Sequence, residues 1–289
     1  GERTMKKKIF ICIGLLVLAI VITAIAIPKK TYQKWFGKLP VDGSPVTQTE
    51  YQRIFVVNDK NKLVGVKVYV DKIEEDEIRQ KWNLLTSSMD KIPSGYSSPI
   101  TPTAILDHYE VENEKLVLYV SDDILRSAGK LATDSLAWTF CNDEIKEIIL
   151  KVDEEQITSI NDYRFRKISK DGGVNFTYET SYLLEADYST IVYYQDEIIY
   201  PVTYFYDTQQ QCDFLINKIM QKTGNQPVTY EYELANNCLV IKFESISELD
   251  EPTKNSLEQT VLLNLDVDKL TINGNDITLY EKTFAEVKN

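Results

Sequence analysis

The chain has 289 residues, of which 43% are apolar, 11% aromatic and 26% charged, with a formal net charge of −12. That length suits one large domain or two ordinary ones, and 11 glycines with 9 prolines exclude collagen-like and linker-dominated chains. One histidine and four scattered cysteines argue against a histidine-built metal site and against a dense disulfide scaffold.

Residues 9–27 read IFICIGLLVLAIVITAIAI, without a charge and flanked by Lys6, Lys7, Lys8 and by Lys29, Lys30. As a helix this run would be roughly 28 Å long, close to the hydrocarbon thickness of a bilayer. Two readings fit: an uncleaved signal anchor, and a signal peptide cut after Ala26 at the small-x-small site Ala24-Ile25-Ala26. The unbroken apolar run favours the anchor. Lysines on both sides nearly tie the positive-inside count, whereas a short leading tail and a large polar body favour an N-in orientation. The protein is then expected in the cell membrane, single-pass, with its C-terminal domains extracytoplasmic. Cys12 lies early in the apolar run with no lipobox before it, which excludes a lipoprotein reading.

Residues 1–38 hold eight basic groups and one acid, so the remainder carries a net charge of −19. A body so acidic does not bind nucleic acid or anionic lipid through general electrostatics.

Beyond a stalk at residues 31–49, one unit occurs twice. Ile54-Phe-Val-Val-Asn-Asp and Leu63–Asp71 recur as Ile191-Val-Tyr-Tyr-Gln-Asp and Ile198–Asp207. His108–Tyr119 is echoed by Glu231–Lys242, Ser135-Leu136 with Thr139 by Ser256-Leu257 with Thr260, and Asp153–Thr158 by Asn273–Thr278. All matches fall in the same order, which divides the chain into a tail and anchor at 1–30, the stalk, a first domain at 50–158, a bridging segment at 159–186 and a second domain at 187–284.

Each copy reads strand, strand, helix, strand, strand, helix, strand. Val66, Val68 and Val70 alternate with polar or aromatic neighbours as on a half-buried strand. Ile78, Trp82, Leu85 and Met89 share one helix face, and Cys212, Leu215, Ile216, Ile219 and Met220 share another. Thr208 with Gln211 reads as a capping box for the latter helix, and Gly224 as its stop. The second helices are expected to start near Thr133 and Pro252, with core stripes at Leu136/Phe140 and Leu257/Val261/Leu265. The fold class that follows is α+β, with each domain a small sheet carrying two helices on one face. Asp171-Gly172-Gly173, flanked by aromatic residues, predicts a hairpin in the bridge. The loop Ile92–Pro102, containing Tyr96, occurs only in the first copy and is a candidate contact surface.

These residues resemble a known family. The strand pair ending at Asp71, the helix through Leu84-Leu85, the Ile92-Pro-Ser-Gly loop, Glu114–Asp122 and the closing Ile148–Glu154 are similar to the GerMN domain of GerM-type sporulation and spore-germination proteins. The resemblance implies tandem ring-building-type domains, a non-enzymatic role and assembly between extracytoplasmic domains in the bacterial envelope. It supplies no catalytic residues.

No nucleophile elbow, phosphate-cradling loop, C-x-x-C or calcium loop occurs, and no cofactor or metal is expected. The sharpest enzymatic alternative pairs Cys141 with His108 as thiol nucleophile and base in a sortase-like membrane-anchored enzyme. Against it, Cys141 aligns with Leu262, a core helix position, and His108 with Glu231 on a strand. The acidic run Glu74–Glu77 and the pair Asp122-Asp123 read as helix starts rather than metal ligands. Cys212 and Cys238 are either two free thiols or, outside the cell, a disulfide. Tyr200, Tyr204 and Tyr206 share one strand face by parity, where they pack against the fold or, with Tyr96, form an interface. The expected partners are envelope or membrane proteins, self-association included, with the membrane itself engaged through residues 9–27.

Overall fold

The computed structural model describes residues 50–181, 186–195, 197–207, 210–223, 229–275 and 277–284. The apolar run 9–27, the stalk, Thr208 and Gly224 lie outside them. Among the described residues no helix is long and apolar enough to cross a membrane.

The first repeat runs β1 (Glu50–Asn58), β2 (Leu63–Val70), α1 (Glu77–Leu85), β3 (Tyr96–Ser97), β4 (Leu106–Glu112), β5 (Lys115–Val120), α2 (Gly129–Phe140), β6 (Glu147–Val152) and β7 (Glu155–Gln156). A bridge carries β8 (Ser159–Ile160), β9 (Tyr163–Arg164) and β10 (Thr177–Tyr178). The second repeat runs β11 (Asp187–Gln195), β12 (Ile198–Tyr206), α3 (Gln211–Lys222), β13 (Tyr230–Ala235), β14 (Cys238–Phe243), α4 (Glu251–Asn264), β15 (Lys269–Gly274) and β16 (Ile277–Thr283). The order of elements is thus duplicated.

Local chemistry explains most element ends. Asp76 caps α1 by accepting from the Arg79 backbone amide at 2.9 Å, Glu77 pairs with Lys81, and Pro252 sits in the first turn of α4 behind an Asp250 cap. The hairpins β4–β5 and β13–β14 turn through two positive-φ residues, Asn113-Glu114 and Asn236-Asn237, as primed turns require. The expected stripes are buried: Trp82 and Leu85 on α1, Leu136 and Phe140 on α2, Leu215, Ile216, Ile219 and Met220 on α3, Leu257 and Val261 on α4. Met89 falls beyond the end of α1, on a separate 3-10 turn. Asp122-Asp123 opens a 3-10 helix that follows Ser121, with Asp123 bridged to Arg126. α2 starts four residues before Thr133, because Ala128 bonds the Pro99 carbonyl and Gly129 turns the chain at φ +50°.

Each repeat departs from the expected single sheet by dividing its strands between two. The later strands form β4-β5-β6-β7 in the first repeat and β13-β14-β15-β16 in the second, each with a central parallel pair. The hairpins β1–β2 and β11–β12 instead join each other, β2 pairing with β12 at Gly65↔Ile199, in a six-stranded sheet completed by β3 and β10. α2 packs against β1, β2 and β6, with nine of its twelve residues buried.

A hairpin left outside its own repeat's sheet has an outer strand whose amides and carbonyls need partners. Helix side chains supply them. Thr139 Oγ1 of α2 accepts from the Phe55 amide at 2.9 Å, and Ser135 Oγ donates to the Phe55 carbonyl. On α4, Ser256 Oγ, Thr260 Oγ1 and Asn264 Oδ1 accept from the amides of Tyr194, Val192 and Thr190, each at 2.9 Å. Four helical residues advance about 6 Å and two strand residues about 6.7 Å, so side chains at i, i+4 and i+8 keep pace with alternate strand amides.

The bridge fastens the two hairpins. Asn175 (φ +49°) donates through Nδ2 to the Leu63 and Pro201 carbonyls, both at 2.7 Å, and accepts from the Leu63 amide through Oδ1. The hairpin expected at Asp171–Gly173 is instead a 3-10 turn, after which Thr177–Tyr178 pairs in parallel with β12. Gly173 is held at φ +67°, where a side chain would strike Phe176 and Thr203. Lys130 Nζ of α2 reaches both Asp134 oxygens at 2.8 Å and the Gly173 carbonyl at 3.1 Å. Burial nonetheless pushes the Asp134 carboxyl up to about 6, with Lys130 opposing the rise.

Thr139→Val and Thr260→Val keep side-chain volume but leave the Phe55 or Val192 amide buried and unpaired. Each is expected to cost roughly 1–3 kcal/mol in urea unfolding. A loss below about 0.5 kcal/mol would show that the hydroxyl ladder is dispensable. Because the folded-state pKa of Asp134 is raised, its contribution is full below the unfolded value near 3.8 and is lost as pH rises through about 6. Between pH 4 and 7 the wild type should therefore lose about 2 kcal/mol relative to Asp134→Asn, read as diverging unfolding midpoints.

Candidate interaction surface

The residues singled out from the sequence fall in three places. Tyr200, Tyr204 and Tyr206 do share a face of β12, and that face lies under α3. Tyr206 is 2% exposed, stacks on Phe214 with ring centroids 3.7 Å apart and bonds Ser189 Oγ at 3.0 Å. Tyr204 meets the same Phe214 edge-on and pairs its hydroxyl with that of Tyr193, while Tyr200 packs against the cores of both repeats. Of the two readings left open, packing and interface, Tyr206 follows packing, and its place in an interface is corrected: α3 buries it, so it has no surface to offer.

Tyr96 is half-buried and belongs to β3, paired with Asn58 at the edge of β1. Its loop is stitched into the fold rather than open. Ile100 and Ala104 are buried, Thr101 donates to Ser127 Oγ, and Trp82 Nε1 donates to the Ala104 carbonyl. In the second repeat, which lacks this loop, Ser256 accepts from the amide of Tyr194, the counterpart of Val57, which lies opposite Ser97 of β3 in the first repeat.

Cys141 and His108 have separate surroundings. Cys141 caps the C-terminus of α2 and is buried, which pushes its thiol up to about 11, away from the thiolate that nucleophilic attack requires. His108 lies on β4, stacked on Tyr119 at 3.9 Å and bonded through Nδ1 to its neighbour Asp107. The charged groups acting on Cys141 are Lys170, Asp171, Lys146 and Glu147, and His108 is not among them. Cys212 and Cys238 are free thiols. Among the described residues no group of three or more His, Cys, Asp or Glu side chains could hold a metal ion.

The opposite face of the same sheet carries an aromatic row that the sequence reading missed. Phe205 of β12 stands directly across from Tyr188 of β11 and Tyr178 of β10, with ring centroids 5.9 Å and 5.2 Å away. Phe176 closes on it at 5.7 Å. Tyr178 and Tyr188 are each 59% exposed. This is a solvent-facing patch spanning three strands, built by the bridge and the second hairpin together. Its signal in the sequence is the parity of Phe205, one residue out of step with the tyrosines on either side.

Two hairpins fused edge to edge, each capped by a helix and followed by its own small sheet, define a tandem GerMN-like fold. The chain superposes on the tandem GerMN domains of the sporulation protein GerM from Bacillus subtilis with a TM-score of 0.64 and 14% identity, covering 79% of this chain and 92% of that one. The first GerMN domain of that protein alone gives 0.37 at 11% identity, over 40% of this chain and 92% of that one. A putative lipoprotein from Clostridium perfringens gives 0.27 at 12% identity, over 45% and 94%. The sequence matches no family model and no curated protein. Identities this low establish the fold alone.

Native alkylation tests the thiol assignments. A small maleimide is expected to modify the partly exposed Cys238 and to leave Cys141 intact until urea is added. Rapid labelling of folded Cys141 at neutral pH would revive the nucleophile.

Proposed function

We propose that the protein is a non-enzymatic, membrane-anchored binding or assembly protein of the cell envelope. In this reading residues 9–27 form a single-pass, N-in anchor, the tandem domains are extracytoplasmic, and the role is of the sporulation or germination type. The fold likeness to GerM and the basic-flanked apolar run both support it. One observation carries it furthest: the solvent-facing row Tyr178–Phe205–Tyr188. Tyrosine offers large contact area at low conformational cost, and rings fixed by cross-strand stacking lose little further freedom on docking. Tethering would raise the local concentration of this surface for envelope partners or for other copies of the chain.

Photo-crosslinking of the full chain in its membrane tests the proposal. A photoreactive residue at Tyr178 or Tyr188 should yield discrete protein adducts, whereas one at Ile105, which is 65% exposed but off the row, should not. Tyr178→Ser with Tyr188→Ser should abolish partner capture while the protein still melts cooperatively, with a melting temperature lowered by the loss of the two ring contacts to Phe205. Equal adducts at all three positions, or none, would remove the row from the function.

A further inference from the structure

Between the repeats lies a cleft of about 520 Å³ that the row does not involve. One wall is the C-terminal end of α2 with the turn after it, another is the bridge, and the third comes from β11 and α4. In a body carrying −19, three lysines gather here: Lys146, Lys167 and Lys170.

Beside the three lysines the cleft lining carries three carboxylates, Asp143, Glu147 and Asp171, one of which is paired with a lysine from outside the lining. Lys167 pairs with Asp171, and Glu147 pairs with Lys115 at 3.2 Å. Lys146, Lys170 and Asp143 have no ion-pair partner within 4 Å among the described residues. Two cations therefore face one carboxylate, an excess of one positive charge. Lys170 sits with Nζ 5.3 Å from the centre of the Trp138 ring, and burial lowers its pKa. The neighbours of this partly desolvated cation are an aromatic face, the Asp143 carboxylate beyond ion-pair distance and the like charge of Lys146, a setting that an anion against both lysines would improve. Facing the lysines are Val192, Leu262 and Leu263, with the Gln259 amide beside them.

We propose that this cleft binds a small amphiphilic monoanion: one carboxylate or phosphodiester group against Lys170 and Lys146, with an attached apolar chain lying along Val192, Leu262 and Leu263. The volume falls within the range of small-molecule sites. Because the walls come from both repeats and the bridge, the ligand spans their junction and stabilises it by mass action. The carboxylate could come from a fatty acid and the phosphodiester from a lipid headgroup, and both present the same single charge and tail.

The test uses the full chain in detergent micelles, with octanoate, octyl methyl phosphate, octanol and inorganic phosphate as probes. Saturable Trp138 fluorescence changes and a raised melting temperature are expected with octanoate, octyl methyl phosphate or both, and which one works distinguishes the two sources. Octanol, with tail but no charge, and phosphate, with charge but no tail, should bind at least about tenfold more weakly. Trp138→Phe should remove the fluorescence change. Lys170→Met should melt higher than the wild type without ligand, since it removes a desolvated cation, and should weaken the monoanion at least about tenfold. The exposed Lys146→Gln should fold normally and weaken binding less. No saturable change with either monoanion up to about 10 mM, a Lys170→Met variant that still binds, or octanol binding as well as octanoate would each overturn the proposal.

Discussion

Hydroxyl and amide side chains along two helices, spaced four residues apart, satisfy the outer strands of two hairpins where no strand runs beside them, β1 meeting only the two-residue β3 at its end. The rest of the architecture depends on this. Were β1 and β11 paired along their whole length with a further strand, their hairpins would extend into larger sheets and the helices would be displaced from the edges. With Ser135/Thr139 and Ser256/Thr260/Asn264 in place, and with β3 on the end of β1, each outer edge is closed and the inner strands, β2 and β12, remain to pair. Fusion of the two hairpins is the remaining way to bury an edge without a new element. Gly65 stands where they meet. A side chain there would collide with the Phe55 ring lying across from it, and that ring in turn packs against Trp138.

The seam is therefore a part of the fold rather than a contact between two finished domains. On β11, Ile191 and Tyr193 enter the core of the second repeat while Val192 enters the core of the first. Asn175 and Thr203 tie the bridge to the second hairpin, and Lys130 ties it to α2. The aromatic row and the lysine-lined cleft both require the bridge, and the cleft alone also draws on α2 and α4 of the two repeats. Surfaces made this way exist only in the tandem protein, which gives the duplication a physical use beyond doubling one domain.

Much of this was legible in the amino-acid order. Apolar periodicity found the four helices and the main hairpins, and the matched segments revealed the duplication, down to the Ser–Thr pair that recurs at Ser135/Thr139 and Ser256/Thr260. The role of that pair was hidden, because a hydroxyl inside a helix ordinarily bonds the carbonyl four residues back, as Ser256 does to Pro252, and nothing local says that it also faces a strand. Division of each repeat between two sheets was hidden for a related reason. Alternation shows which residues of a strand point inward but not which strand lies beside it. Parity likewise placed Tyr200, Tyr204 and Tyr206 together without saying that α3 covers them, and it left the exposed row to be found on the other side. The bridge was misread because Asp171-Gly172-Gly173 has hairpin chemistry, whereas tertiary bonds to Thr203 and Leu63 hold it in another path.

The pairing of β2 with β12 has a consequence for synthesis. Asn175, which closes the edge of β2 at Leu63, lies 112 residues further along the chain. At ribosomal speeds of about 5–20 residues per second, the first hairpin waits roughly 6–22 s with its inner edge unpaired. That interval leaves a bare β-edge open to capture by neighbouring strands. Companions that shield such edges during emergence would then matter more to its yield than to its final stability.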